Sequence, residues 1–346
     1  MSFQDKQDLQ GYDEMVALSN RLRKEIKGGE ETDNGATFKP RGKELSKGCQ
    51  ACKSAGWICI YLSYICNRSC HFCPQDRSKE TNNSFSGWDP WGDVPLIEVF
   101  KERIARIIDD VKGVSFSGGE PLMQLKKVPT SNRRGPMSSA GILKWLDIIN
   151  GIRWKRKPYL WIYTGGHLVN ERNIGSLAAG GINEIRFNLA ASNYSDDILK
   201  KMELARKRID YLSVEVPVLS WQLDKLIGSL KTLSDIGVDY LNLHELCVTP
   251  FNRHYLQTND LIDEKLLYTN DTINPNPFNM FYLPSIMDIY KVISYIDENK
   301  LNLIYNDCSV RNTILQSHRH NYLRLKSLSG DARFKTWEEY KTSIGI

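Results

Sequence analysis

The chain has no run of about 18 apolar residues, so no transmembrane helix is expected. Its opening, MSFQDKQDLQ, lacks the apolar stretch of a secretory signal, and export is not expected. No short-period repeat or low-complexity tract is present, and the composition excludes the collagen-like, disordered and small disulfide-scaffold classes. Neither sign of charge dominates. The 46 Lys+Arg against 41 Asp+Glu leave a formal net charge of +5, too modest to favour nucleic acid. With 346 residues, 41% hydrophobic and 25% charged, the chain can bury a full core, as two domains or as one α/β barrel. What it does have is cysteine. Eight cysteines in a chain without an export signal point to metal, clusters or catalysis in a reducing cytoplasm, rather than to disulfides. They are also crowded: Cys49, Cys52, Cys59, Cys66, Cys70 and Cys73 share one stretch, and only Cys247 and Cys308 lie elsewhere. Cysteine used as a small buried apolar residue would be scattered.

Residues 1–48 read as a polar N-terminal extension. One amphipathic helix is expected over 12–27 through Met15, Leu18, Leu22 and Ile26, and GGEETDNGATFKPRGKE reads as loop. Strand-like runs then recur at 57–66, 111–121, 158–166, 184–192, 212–220, 240–248 and 301–306. Helical runs separate them at 95–110, 137–150, 171–180, 195–209, 222–236 and 284–299. This alternation predicts βαβ crossovers and a parallel sheet, hence an α/β fold with a full or partial (β/α) barrel over 49–310. Residues 311–346 read as a C-terminal helical extension. The long loops 74–94 and 253–282 follow strand C-termini, where barrel sites are built, and read as substrate lids.

The loop after the first strand carries Cys66-Asn-Arg-Ser-Cys70-His-Phe-Cys73. Three thiolates at this spacing suit a [4Fe–4S] cluster with one iron left open. Zinc is the alternative, although it prefers paired C-x₂-C units and four protein ligands. One strand later comes Phe116-Ser117-Gly118-Gly119-Glu120-Pro121, where two glycines permit close backbone approach to a ligand and Glu120 can accept from an ammonium group.

Together these two motifs resemble the radical S-adenosylmethionine (radical SAM) enzymes. The resemblance implies that Cys66, Cys70 and Cys73 hold the cluster and that Phe72 lies beside the adenine. It also implies that Gly118, Gly119 and Glu120 form the amino-group site for S-adenosyl-L-methionine, with Ser117 as a further cofactor contact. The expected chemistry is reductive cleavage of that cofactor to a 5′-deoxyadenosyl radical, which abstracts hydrogen from a substrate.

Other positions follow from strand alternation. In 184–192 the period of two puts Arg186, Asn188, Ala190 and Ser192 on one face, making Asn188 and Ser192 candidates for cofactor contacts. Glu215 is expected in the lumen, paired with Arg186 or with cofactor and substrate. His244 reads as a proton donor or a satisfied core histidine, and Tyr163 with Thr164 as cofactor or substrate contacts. The basic run 153–157 and the helix bearing His318, Arg319, His320, Arg324 and Lys326 read as solvated faces. Lys126, Lys127, Arg133 and Arg134 are candidates for meeting an anionic substrate, and Trp88 and Trp91 for stacking on one.

Cys49-Gln-Ala-Cys52 and the late Cys308 are similar to the cysteines of a largely uncharacterised group related to the pyruvate formate-lyase activating enzyme. That resemblance implies a second site: an auxiliary [4Fe–4S] cluster, a zinc ion or unliganded thiols. Residues 49–52 precede the first strand and Cys308 follows the last, so they begin at opposite barrel ends. Flavodoxin or ferredoxin is the expected reductant, and a protein, a peptide or a small molecule the expected substrate. Nucleotide or RNA modification by the same chemistry, and a non-enzymatic electron carrier, are the alternatives.

Overall fold

The computed structural model describes residues 15–76, 84–85, 96–126, 141–268, 280–329 and 334–345. Trp88, Trp91, Lys127, Arg133 and Arg134 lie outside them.

Seven parallel strands form the sheet: β1 Trp57–Tyr61, β2 Gly113–Ser117, β3 Tyr159–Thr164, β4 Glu184–Phe187, β5 Tyr211–Pro217, β6 Tyr240–His244 and β7 Ile304–Asp307. They pair in sequence order, and the segment Ser84–Phe85 runs antiparallel on the outer edge of β1. Among the described residues β1 and β7 do not pair, so the barrel is partial.

Each strand alternates. Ile58, Val114, Ile162, Ile185, Val214 and Leu241 are fully buried in the main apolar core. The opposite face carries Trp57, Ser115, Trp161, Arg186, Glu215 and Asn242, which meet one another across the lumen. Trp57 Nε1 donates to Ser115 Oγ at 2.9 Å, and Asn242 Nδ2 to Glu215 Oε2 at 3.2 Å. The lumen thus combines a small apolar cluster, Trp57 and Trp161 with Ala51, and a hydrogen-bonded polar set around Arg186 and Glu215.

The strands end earlier than their sequence runs. After Phe187 the chain turns into a 3₁₀ segment, Leu189–Ser192, so the alternation stops before Asn188 and Ser192. After His244 it leaves the barrel. Cys247–Val248 pairs with Met280–Tyr282, which also pairs with Leu267–Tyr268, so described parts of the second long loop join a small antiparallel sheet. Apolar periodicity carried on past the strand ends because these turns are themselves buried.

Three further departures come from the extensions. The expected N-terminal loop is a hairpin, Gly29–Thr32 with Thr37–Pro40, whose Phe38 ring lies 6.1 Å from those of Tyr290 and Tyr305. Its signal was the Asp-Asn-Gly turn, with positive φ at Asp33 and Asn34. Residues 47–53 form an unexpected helix (α1), capped by Ser46, whose Oγ accepts from Cys49 N at 3.1 Å. The helix Val310–Ser329 (α2) is not a solvated basic face. Arg319 is 2% exposed and bonds Asp33 at 2.6 Å, and the His320 ring lies 4.7 Å from Trp57. Those basic side chains are spent on packing the extension against the barrel. The run 153–157 does present Arg153, Lys155, Arg156 and Lys157 to solvent.

Candidate active site

A cavity of about 730 Å³ opens at the C-terminal ends of the strands. Its walls include Cys66, Cys70, Phe72 and Cys73 from the loop after β1, and Ser117, Gly118, Gly119 and Glu120 from the turn after β2. Tyr163, Asn188, Glu215, His244 and Cys308 join them from later strands.

The cysteine loop is held from below by the glycine turn. Glu120 N donates to Ile65 O at 2.9 Å, and Gly119 sits at φ +43 with no room for a side chain: a Cβ would come 1.9 Å from Ile65 O. The close approach that the glycines permit is therefore to the cysteine loop itself, which sets the distance between the two motifs. On the other side, Asn252 Nδ2 donates to Phe72 O at 3.0 Å and Thr249 Oγ1 to Pro74 O at 3.1 Å. These two residues follow β6, and no motif in the sequence marked them. The three thiols offer the donor set that an iron–sulfur cluster takes and share one loop facing one cavity, so they fit the group. Among the described residues, no group of three or more His, Cys, Asp or Glu is already arranged to hold a metal ion.

Glu120 is 1% exposed. Its Oε1 accepts from Thr164 Oγ1 at 2.8 Å and Leu122 N at 3.1 Å, and its Oε2 accepts from Gly165 N at 2.8 Å. Burial raises its pKa, and the three donors work against that rise. A carboxylate has about four acceptor positions, so one remains for a cation in the cavity.

Deeper in the lumen lies a charge network. The buried Arg186 guanidinium bonds Glu184 Oε1 and Glu215 Oε2, each at 2.7 Å, and stacks over Trp161. Glu215 also meets His244 Nε2 at 3.1 Å. Burial acts to raise the Glu215 carboxyl, but Arg186 and His244 outweigh it and hold the group at about 2. Burial acts to lower His244, yet Cys308 and Glu215 raise it well above an ordinary histidine. Burial likewise acts to raise the Cys308 thiol, and His244 lowers it below the ordinary value. Glu215 thus both pairs with Arg186 and faces the cavity.

Helix α1 enters the lumen from the opposite end. A Cβ on Gly48 would come 2.5 Å from Arg186 Nη2 and 3.2 Å from Trp161, so only glycine allows this depth. Cys49 consequently lies against the middles of three strands, with its Sγ 3.4 Å from Asn242 Oδ1, 3.5 Å from Arg186 Nη2 and 3.8 Å from Asn306 Nδ2. Burial pushes the Cys52 thiol up to about 12, and nearby Cys308 adds to the rise. The separation of residues 49–52 from Cys308 is thus bridged by a helix inside the barrel. Cys49 and Cys52 do not line the cavity, and neither does Ser192, whose Oγ donates to Leu189 O at 2.9 Å.

The radical SAM superfamily model matches residues 60–254. A protein of Methanocaldococcus jannaschii that carries the name of a glycyl-radical enzyme activating enzyme is 22% identical over 222 residues, 62% of this chain and 53% of that protein. The chain therefore spans about half the length of that curated relative. Among solved structures, Streptococcus suis SuiB bound to S-adenosylmethionine aligns with TM-score 0.45 and 15% identity, over 71% of this chain and 49% of that one. HydG, a maturase of the [FeFe]-hydrogenase, aligns with TM-score 0.37 and 12% identity, over 69% of this chain and 57% of that one. At these scores the fold assignment rests on the sheet and on the family match.

Proposed function

The chain belongs to the radical SAM superfamily, and on that premise we propose that it cleaves S-adenosyl-L-methionine at a [4Fe–4S] cluster to abstract hydrogen from a protein, a peptide or a small molecule. The observation that carries this reading is one cavity walled by both Cys66, Cys70 and Cys73 and the Gly118–Glu120 turn. When bound, the cluster would supply one electron to the sulfonium, and the resulting 5′-deoxyadenosyl radical would take the hydrogen.

The chain's own residues bind and orient. The three thiols would each hold an iron. Glu120, which already accepts from three donors, would receive the cofactor's ammonium in its remaining acceptor position. Phe72, Ser117 and Asn188 would contact the rest of the cofactor. Phe281, from the small sheet of the long loop, walls the cavity and supports a lid that limits water.

The activating-enzyme name of the M. jannaschii relative supports a protein substrate. Flavodoxin or ferredoxin in a cytoplasm poor in oxygen would supply the electron. Among the described residues no helix is long and apolar enough to cross a membrane. One cluster is favoured over two, because Cys49 and Cys308 are engaged by Asn242, Arg186 and Asn312.

The test is an iron and sulfide count after anaerobic reconstitution. Roughly four irons per chain are expected, lost in Cys70→Ala, with an electron-spin signal of the reduced cluster that shifts on adding S-adenosylmethionine. A count near eight, or bound zinc, would restore the second metal site. No iron held by the three-cysteine loop would overturn the reading.

A further inference from the structure

We propose that Thr164 is a positioning residue for Glu120, and that it leaves the Oε2 side of the carboxylate, beside Gly165, as the place where the cofactor's ammonium group is received. The inference rests on the radical reading above and names the residues that decide which oxygen of Glu120 meets the cofactor.

The hydrogen bonds carry it. Glu120 Oε1 accepts from Thr164 Oγ1 at 2.8 Å and from Leu122 N at 3.1 Å, whereas Oε2 accepts from Gly165 N alone, at 2.8 Å. Each carboxylate oxygen has about two acceptor positions, so the open one lies on Oε2. The hydroxyl of Thr164 has a single proton to give. Gly166 N donates to Thr164 Oγ1 at 3.0 Å, which makes that oxygen an acceptor toward the turn and a donor toward Glu120. The turn is itself fixed. Gly166 has φ +83, and a Cβ there would come 2.8 Å from Ile198 Cγ2 and 3.1 Å from Phe187 Cδ1, so its backbone lies directly on the core. Thr164 O accepts from Asn188 N at 2.9 Å, so the same buried residue holds two walls of the cavity, Glu120 and Asn188.

Gly165 supplies the room. It lines the cavity, and a Cβ on it would stand 3.4 Å from Glu120 Oε2, 3.8 Å from His167 Cδ2 and 3.9 Å from Ala191 Cβ. A methyl group at that point would crowd any cation bonded to Oε2, and glycine leaves the space open. Thr164 thus fixes the carboxylate, and Gly165 clears the approach to its free position.

The test measures binding to the reconstituted protein by equilibrium dialysis. Two ligands are compared: S-adenosylmethionine, and 5′-methylthioadenosine, which keeps nucleoside and sulfur but has no ammonium group. Thr164→Val keeps the shape without the hydroxyl and should weaken S-adenosylmethionine about tenfold. Thr164→Ser restores the hydroxyl and should bind within about threefold of wild type. Gly165→Ala leaves Thr164 in place and should also weaken S-adenosylmethionine about tenfold. 5′-Methylthioadenosine should bind all of these proteins alike, whereas a threonine needed only for folding would lower both ligands together. The inference is overturned, while the radical reading stands, by full S-adenosylmethionine affinity in Thr164→Val or Gly165→Ala. A serine variant as weak as the valine variant, or both ligands weakened by one factor, overturns it equally. If the wild type binds no S-adenosylmethionine, the radical reading fails and the inference falls with it.

Discussion

Glu120 and Glu245 are both buried carboxylates whose pKa burial raises, and they differ in what faces them. Glu120 has three donors and an open position toward the cavity. Glu120→Gln keeps the shape and removes the charge, so binding of S-adenosylmethionine should weaken roughly 10- to 100-fold by equilibrium dialysis. Unchanged affinity would remove Glu120 from the amino-group site. Glu245 accepts from Val310 N at 2.6 Å and Tyr268 Oη at 3.0 Å, but burial, aided by Asp307, pushes it up to about 8. The folded state therefore holds a proton that the unfolded state releases above about 4.5. Its contribution favours folding least at high pH: stability should fall as pH rises from about 4.5 to 8, by on the order of 3–5 kcal/mol. Glu245→Gln should flatten that decline in urea titrations at pH 5, 6, 7 and 8, and a parallel slope would contradict the assignment. At this scale the sequence was legible for motif residues and silent on partners. Cys66, Cys70 and Cys73 were marked by spacing, whereas Asn252 and Thr249, which clamp their loop, carry no spacing signal and become visible only when β6 is placed.

Between elements, the decisive contact is the glycine turn under the cysteine loop. A methyl on Gly119 would strike Ile65 O and force a side chain into a left-handed backbone. Gly119→Ala should cost about 1–3 kcal/mol and displace the loop. A lowered Tm and iron retention below half of the wild-type value are expected, and both unchanged would mean that the loop does not depend on the turn. Strand positions were readable because their outward faces are uniformly apolar, as with Ile58 and Val214. Strand ends were not, since Leu189 and Leu246 stay buried after the backbone has left the sheet. The helix Lys47–Lys53 was missed for a related reason. It is seven residues long and buries only the small Gly48, Cys49 and Ala51, so it lacks the apolar stripe that marks a helix on a core.

For the whole molecule, the parallel sheet and its polar lumen make a partial barrel whose charged interior is internally compensated. Arg186 is answered by Glu184 and Glu215, and Glu215 by His244. Removing Glu215 takes one of the two carboxylates from Arg186 and the carboxylate partner from His244, so Glu215→Ala should destabilise by roughly 3–5 kcal/mol in denaturant unfolding. A change within error would show that solvent fills the gap. The barrel and the cluster loop were legible from periodicity and spacing. The joining of Cys49 and Cys308 within one lumen was not, because it depends on a helix whose depth is set by a single glycine. The account stands or falls on cofactor cleavage. Anaerobically reconstituted protein, reduced with dithionite and given S-adenosylmethionine, should form 5′-deoxyadenosine and methionine, and Cys70→Ala should form neither. A fully reconstituted cluster that yields no 5′-deoxyadenosine under these conditions would contradict it.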